Sequence, residues 1–184
     1  ETDGKGVGEF TTGVPIAKTG VTGGDAKLDT AQKKFGTASL ELDGTADNLT
    51  YPTSTDFGFG TTNWAAECFI RPSSVTGTQY IFDFRNASAT DTAPTVYLNG
   101  TALHFGVGNT SQATGGTLST GTWYHVAVAR SGGSTKLFLN GTQVGSTYTD
   151  TNNYGTTKPL AIGSDYNSAA NAFAGHIDEV RVSK

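Results

Sequence analysis

Cysteine and methionine are almost missing from this chain of 184 residues, which has one Cys and no Met. A single cysteine excludes an intrachain disulfide and a zinc site built on several thiolates. Cys68 alternates with Ala66 and Ile70 in a strand-like pattern, so we expect it to be a small core residue. Without an initiating methionine or a recognisable signal peptide, the chain is expected to be a processed protein or a piece of a larger protein or assembly.

Basic residues and long apolar runs are also scarce. The chain has 12 Lys and Arg against 16 Asp and Glu, a net charge of −4, and its longest basic cluster is Lys33-Lys34. A nucleic-acid-binding surface needs clustered cations. No apolar run approaches the roughly 18 residues that a membrane span requires. We therefore expect no nucleic acid partner and no membrane insertion.

Proline and helical periodicity are lacking as well, whereas glycine is abundant. There are 5 Pro and 25 Gly, and Thr, Ser and Asn separate short apolar runs. About ten short strands without helices predict an all-β fold, a two-sheet antiparallel β-sandwich or a barrel. The length suits one domain and no linker is evident. We predict a single domain over residues 1–184, in which residues 1–34 form only a weakly patterned N-terminal strand and loops.

The clearest strand pair lies at residues 123–130 and 136–144. Ser131-Gly132-Gly133-Ser134 joins the two runs, and Asn140-Gly141 follows inside the second. Asn-Gly between strand-like runs indicates a hairpin, because both residues tolerate the positive φ of a type I′ turn. The tetrapeptide at 98–101 repeats the one at 139–142, which predicts a second hairpin of the same chemistry.

The first strand of that pair is apolar on both faces. Tyr124, Val126 and Val128 would face the core, and the opposite face carries Trp123, His125, Ala127 and Ala129. Such a strand is expected to be central and covered on both sides. Trp64 and Trp123 are interpreted as core residues. The three histidines, His104, His125 and His176, are interpreted as satisfied structural residues within strands.

Four blocks, at residues 35–44, 67–72, 123–127 with 137–141, and 173–182, resemble in order the conserved strands of laminin-G-like, concanavalin A-like jelly-roll domains. The resemblance covers roughly residues 35–184. It implies a jelly-roll sandwich in which the first and last strands are neighbours. It also implies binding of carbohydrate or protein, as a module of adhesins, secreted glycosidases or phage virion proteins. Fold membership does not choose among these roles.

The resemblance further implies one hard-cation site, so calcium is the cofactor to consider. If the first and last strands are neighbours, Asp43 and Asp178 come close together, with the carbonyl of Gly44 as a further ligand. The alternative is that Asp43 forms a turn before Gly44 and that Asp178 bonds local backbone. A usable calcium site needs six or more oxygens.

Catalysis is disfavoured by the carboxylate pattern. Retaining glucanases of this architecture use a Glu-x-Asp-x-Glu motif on one strand face, and the closest match, beginning at Glu41, has Thr45 in the third position. Asp178 and Glu179 point to opposite faces of one strand. We therefore predict no polysaccharide hydrolysis that would be lost in Glu41→Gln.

A ligand site is predicted in the loops. Glycan recognition combines an exposed aromatic ring with Asn or Asp hydrogen bonds. The stretches 148–154 and 165–167 have that composition, and the candidate ligand-binding residues are Tyr148, Asp150, Asn152, Tyr154, Asp165 and Tyr166. The alternative is an ordinary solvated loop whose aromatic residues plug the core.

Three functions remain, in order of preference. The first is a non-catalytic module that recognises carbohydrate, or another surface partner, outside the cell or on a virion or cell surface. The second is a structural role in a phage decoration, a fibre or an adhesin, without a small ligand. The third is the disfavoured hydrolase.

Overall fold

The computed structural model describes residues 10–11, 15–16, 19–86, 88, 90–166 and 168–184. Within this part the chain is all-β, with a single 3₁₀ turn at Thr55–Phe57. No helix there is long and apolar enough to cross a membrane. The strands are β1 (Phe10–Thr11), β2 (Pro15–Ile16), β3 (Val21–Gly23), β4 (Lys27–Asp29), β5 (Ser39–Asp43), β6 (Asn48–Ser54), β7 (Trp64–Pro72), β8 (Thr78–Asp83), β9 (Pro94–Asn99), β10 (Ala102–Val107), β11 (Thr110–Gly115), β12 (Tyr124–Ser131), β13 (Ser134–Leu139), β14 (Thr142–Thr149), β15 (Lys158–Ile162) and β16 (Ala174–Ser183).

Two seven-stranded antiparallel sheets form the sandwich. Sheet I has the order β11-β10-β9-β8-β15-β6-β3, and sheet II has the order β14-β13-β12-β7-β16-β5-β4, while β1 and β2 pair with each other. The predicted two-sheet jelly roll is therefore confirmed. So is the neighbourhood of the first and last family strands, because β5 pairs with β16.

The core lies between the inner faces of the two sheets. On β7 the exposure alternates strictly, so that Trp64, Ala66, Cys68 and Ile70 are buried. Cys68 is a fully buried free thiol, as predicted. Each large apolar side chain removed from water in this way contributes roughly 1.5–3 kcal/mol to folding.

The two Leu-Asn-Gly-Thr segments form different turns. At the β13–β14 turn Leu139 pairs with Thr142, and Asn140 (φ 51°) and Gly141 (φ 79°) both take positive φ, as a type I′ turn requires. At the β9–β10 turn the pairing is shifted by one residue, so that Asn99 pairs with Ala102 and the loop is Gly100-Thr101. Both hairpins are confirmed, but the prediction of one shared turn chemistry is wrong.

A bulge in β16 explains the spacing of its core residues. Asp178 pairs with Phe69 whereas Arg181 pairs with Glu67, so β16 holds one extra residue, and Glu179 there has φ 51°. The extra residue lets Ile177 and Val180, three positions apart, both face the core.

Strand β12 is internal to sheet II, but its outward side is only half-buried. Val126 and Val128 face the core as predicted, whereas His125 and Ala127 lie on the solvent side of the sheet. Trp123 precedes the strand and is also half-buried. The expectation that both faces are covered, with Trp123 in the core, is therefore wrong. Trp64, in contrast, is 3% exposed.

Candidate functional site

Asp150 and Tyr154 do not form part of an exposed loop, which corrects the prediction for both. Each is completely buried. The Tyr154 hydroxyl donates to Asp150 Oδ2 at 2.7 Å, and the Thr135 hydroxyl donates to the same oxygen at 2.7 Å. Burial and the nearby carboxylate raise the pKa of Tyr154 well above its ordinary value. These two side chains plug the core, as the alternative interpretation of the loop held.

Arg130 completes this buried network. Its Nε lies 3.7 Å from Asp150 Oδ2, and its Nη atoms donate to the carbonyls of Asp150 (2.8 Å) and Asn152 (2.9 Å). Both charged side chains are almost inaccessible, at 3% and 0% exposure. The network joins the 150–154 segment to β12 and therefore has a structural role.

The other predicted loop residues belong to two separate segments of the chain, 148–152 and 165–166. Tyr148 is half-buried, and its hydroxyl accepts from Asn152 Nδ2 at 3.0 Å. The Asp165 carboxylate is turned into its own loop, where the N–H groups of Ser168 and Ala170 donate to it. Tyr166 is half-buried, and Asn167 lies outside the described residues. Tyr148, Asn152 and Tyr166 keep surface access, and a ligand role for them stays a prediction.

Asp43 and Asp178 do not meet, contrary to the predicted calcium site. Asp43 pairs with Ala174 across β5 and β16, so Asp178 lies four residues further along, about 13 Å away. Asp178 is 2% exposed, and its Oδ2 accepts from the backbone N–H groups of Lys34 (2.8 Å) and Phe35 (3.0 Å). Asp178 therefore serves the local backbone, which was the alternative interpretation. Gly44 stays next to Asp43, in the turn.

A different acidic group surrounds Asp43. Carboxylate oxygens of Asp25, Asp43 and Asp47 lie within 4.8 Å of one another. Asp47 is buried, and its two oxygens accept from the N–H groups of Asp25 (2.8 Å) and Asp43 (2.7 Å). Asp47 thus organises the turn, while Asp25 and Asp43 are exposed.

A set of neighbouring aromatic and charged side chains lies on the solvent side of sheet II, which we call the sheet II outer face; most of them are half-buried or exposed, and His176 is 8% exposed. The strict alternation of β7 points Glu67, Phe69 and Arg71 outward together with Ala65. The other residues come from β4, the segment between β4 and β5, β5, β16, and β12 with the residue before it. The set comprises Asp29, Lys34, Phe35, Glu41, Glu67, Phe69, Arg71, Trp123, His125 and His176.

One half of this face is aromatic. Phe69 pairs with His125 across β7 and β12, and their rings are 4.9 Å apart. Phe35 packs edge-on against Phe69 at 5.3 Å and is 49% exposed. The Lys34 ammonium lies 5.4 Å from the centre of the Phe69 ring. The two N–H groups that bind Asp178 hold Lys34 and Phe35 above the sheet.

The other half is polar and adjoins Trp123. The Trp123 and His176 rings are 6.4 Å apart, and His176 Nε2 lies 3.0 Å from Asp29 Oδ2. Hydrogen bonds from the Ala31 N–H, and then from His176, outweigh partial burial and lower the pKa of Asp29 below its ordinary 3.8. Glu41 lies opposite His176 in the ladder, and ligand atoms of Asp29, Glu41 and His176 lie within 4.8 Å of one another, a spacing that a metal ion could also use.

The outer face of sheet I is less suitable for contact between an aromatic ring and a ligand. Tyr80, Tyr97 and His104 follow one another across three strands, but the Tyr97 and His104 rings are stacked at 4.9 Å and 10°. Stacked rings present their edges rather than their faces to a ligand. A groove of about 650 Å³ elsewhere exposes no aromatic ring, since its Phe59 is 1% exposed.

The sequence interpretation missed the sheet II outer face because it treated both tryptophans and all three histidines as structural. The signal was present in the outward positions of β7, where Glu67, Phe69 and Arg71 alternate with core residues. An aromatic residue between two charged residues on the outward side of one strand indicates a half-exposed face rather than a covered one.

Comparisons with known proteins identify the fold family. A profile described as the concanavalin A-like lectin/glucanases superfamily matches residues 43–184. A search of curated proteins gave no match.

Solved structures of similar fold include several binding domains. Domain 4 of AbnA, a GH43 extracellular arabinanase from Geobacillus stearothermophilus, solved with arabinotriose, is 20% identical with a TM-score of 0.66, over 87% of this chain and 75% of that one. The botulinum neurotoxin serotype G binding domain is 12% identical with a TM-score of 0.61, over 90% of this chain and 43% of that one.

A structure from a study of botulinum neurotoxin type C, whose cell entry depends on two ganglioside molecules, is 10% identical with a TM-score of 0.65. The alignment covers 96% of this chain and 46% of that one, so the chain spans less than half of either toxin chain. At these identities the likeness shows the fold alone. With the profile match over most of its length, the chain belongs to the concanavalin A-like lectin/glucanase superfamily.

Proposed function

We propose that this domain is a non-catalytic carbohydrate-binding module and that the sheet II outer face is its binding surface. The observation that supports this most is the position of Trp123 beside His176, which lies close to Asp29 and Glu41, on the same sheet face as the exposed ring of Phe35. The apolar C–H face of a sugar ring packs on an aromatic ring, and its hydroxyls bond to carboxylate and imidazole groups. This face supplies both kinds of group.

The comparisons support the same function at a coarser level. One similar structure is a domain of an extracellular arabinanase solved with arabinotriose, another is a toxin binding domain, and a third comes from a study of botulinum neurotoxin type C and its interaction with two ganglioside molecules. In each case the similar region is a domain of a larger protein. We therefore propose that this domain serves a larger protein outside the cell and directs it to a surface glycan.

A glycan array followed by calorimetry tests the proposal. We expect a defined set of glycans to bind, and Trp123→Ala to weaken the best of them at least about tenfold, because a central aromatic contact is lost. Tyr166→Ala, which removes an aromatic residue from the predicted loop site, is the matched control and should leave the affinity unchanged. The reverse pattern would move the site to the loops. Failure of all glycans, together with oligomerisation or particle association, would favour the structural role.

Hydrolysis stays the third and disfavoured candidate, although Asp29 and Glu41 are close enough to act on one bond. Retaining glycosidases hold two carboxyl groups about 5–5.5 Å apart, and one of them must stay protonated. The lowered pKa of Asp29 keeps that group ionised, and Glu41 forms an ion pair of 3.6 Å with Lys27. Neither environment resembles the apolar pocket of a general acid. A reducing-sugar assay on the bound glycan should show no release of sugar, either by the wild type or by Glu41→Gln.

Calcium remains a proposal with altered ligands. We propose Asp25, Asp43 and Asp47 as its carboxylates, in place of the pair of Asp43 and Asp178. Asp47 already accepts hydrogen bonds from two backbone N–H groups. The exposed carboxylates of Asp25 and Asp43 would therefore supply the other negative charges that balance the calcium ion. Calcium should then raise the melting temperature of the wild type and not that of Asp43→Asn. Equal melting temperatures with calcium and with chelator would reject the site.

A further inference from the structure

Arg71 stands out on the sheet II outer face because none of the described residues pairs with its charge. It lies near the end of β7, half-buried and pointing outward, with His176 opposite it on β16. Its guanidinium makes no hydrogen bond and no ion pair with any residue that the structure describes. A Cβ added at Gly121 would lie 3.7 Å from Arg71 Nη2, so the guanidinium rests against the loop that carries Trp123.

The carboxylates of the same face are already engaged. Glu41 pairs with Lys27 at 3.6 Å, and Glu67 pairs with both His125 and Arg181 at 3.2 Å. Asp29 and Asp178 also have partners: Asp29 Oδ2 lies 3.0 Å from His176 Nε2, and Asp178 accepts hydrogen bonds from backbone N–H groups.

Lys34 is a second cation that has no carboxylate partner in the part of the chain that the structure describes. Its ammonium lies above the rings of Phe35 (5.6 Å) and Phe69 (5.4 Å), and Phe69 lies two residues before Arg71 on the same side of β7. The positive charges of Lys34 and Arg71 beside the aromatic rings are therefore not neutralised by the described carboxylates, although the whole chain has a net charge of −4. An unpaired guanidinium offers two parallel N–H donors that match a carboxylate.

We infer that the ligand is an acidic glycan whose sugar carboxylate binds Arg71 while the sugar ring packs against Trp123. This inference rests on the proposed function and specifies its substrate class as sugars that bear a carboxylate, such as uronic or sialic acids. Lys34 adds long-range attraction at the aromatic half of the face. The carboxylate replaces the water that solvates the free guanidinium, and no chemical bond changes.

Calorimetry with paired probes tests the inference. Oligosaccharides that contain galacturonate, glucuronate or sialate are each compared with their methyl esters, which keep the shape and lose the charge. We expect an acidic probe to bind about 10- to 100-fold more tightly than its ester. Arg71→Gln should lower the affinity for the acid to that for the ester, and Arg71→Lys should retain part of the difference because the charge remains without the planar fork.

Arg181→Gln is the matched control, because Arg181 lies on the same face but is ion-paired and 62% exposed. Arg181→Gln should leave the preference for the acid over its ester unchanged. Arg71→Gln and Arg181→Gln should both have the melting temperature of the wild type. An acid and ester that bind equally, or an Arg71→Gln variant that keeps the preference, would overturn the inference. Trp123-dependent binding of neutral or sulfated glycans only would overturn it and leave the proposed function standing. Failure of every glycan would overturn both.

Discussion

The two tryptophans show at the residue scale how burial separates structure from function. Trp64 is 3% exposed and stacks on Phe59 with ring centres 4.6 Å apart, whereas Trp123 lies half-buried beside His176. Both occur next to strand-like apolar runs, so local pattern alone gave them one interpretation. The difference depends on which side of sheet II each residue occupies, and that is set by pairing with distant strands.

Substituting each tryptophan should therefore have opposite consequences. Trp64→Ala is expected to lower the free energy of unfolding by about 3–5 kcal/mol, because it leaves a cavity in the core. Trp123→Ala should cost about 1 kcal/mol or less in stability while weakening glycan binding. Urea denaturation of both variants measures the contrast. A larger stability loss in Trp123→Ala than in Trp64→Ala would contradict the assignment.

Asp150 gives a second test at this scale. Asp150→Ala leaves Arg130 buried without its carboxylate and removes the acceptor of two hydroxyl groups, so we expect a loss of about 3–5 kcal/mol in unfolding free energy. Chemical denaturation measures this loss. A stable Asp150→Ala protein with weakened glycan binding would instead restore the loop as the ligand site.

Asp29 makes the stability of the folded protein depend on pH in the acidic range. Its pKa is lowered in the folded protein, so the folded state favours the ionised form; this contribution is present above pH 3.8 and is lost as the pH falls through the folded-state pKa. Asp29→Asn should therefore be less stable than the wild type near neutral pH, and the difference should shrink below pH 3.8. Denaturation curves over a pH series measure it. A difference that grows on acidification would reject the role of Asp29.

At the element scale, the hairpins were predictable and the β16 bulge was not. Gly132-Gly133 and Asn140-Gly141 carry their turn preference in two adjacent residues, and strand alternation around them is short-range. The bulge depends on β16 matching β5 and β7 at once, so no local pattern reveals it. The same dependence defeated the predicted pair of Asp43 and Asp178, since neighbouring strands do not specify register.

Glu179 tests the bulge directly. It is exposed and has φ 51°, a conformation that costs a residue with a Cβ about 1 kcal/mol. Glu179→Gly should therefore preserve or raise the unfolding free energy by up to about 1 kcal/mol, whereas Arg181→Gly on the same strand should lower it. Equal losses in the two variants would show that Glu179 has an ordinary strand conformation.

At the scale of the whole molecule, the sandwich places its two outer faces on opposite sides of one core. The fold class could be predicted from sequence, because alternation and turn residues recur along the chain. The neighbouring first and last strands were implied by the resemblance of four blocks to a known family. The candidate site could not, because Arg71, Trp123, His176 and Phe35 come from distant segments that only the pairing in sheet II brings together. The loop prediction failed for Asp150 and Tyr154 because composition does not distinguish an exposed aromatic residue from a core plug.

Because the two outer faces are separated by the core, a substitution on the outer face of sheet I should not change glycan binding at the outer face of sheet II. Tyr97→Ala on the outer face of sheet I should leave glycan affinity unchanged within about twofold, since the core lies between it and the proposed site. Calorimetry with the best glycan from the array measures this. A loss as large as that of Trp123→Ala would place a binding surface on sheet I.

Backbone amide chemical shifts recorded during titration with the best-binding glycan test the central claim most directly. The account predicts that the largest shifts fall on residues 67–71, 123–127 and 174–178, with further shifts at 34–35 and small changes in sheet I. Shifts concentrated at 148–154 and 165–166, or on β8 to β10, would contradict it.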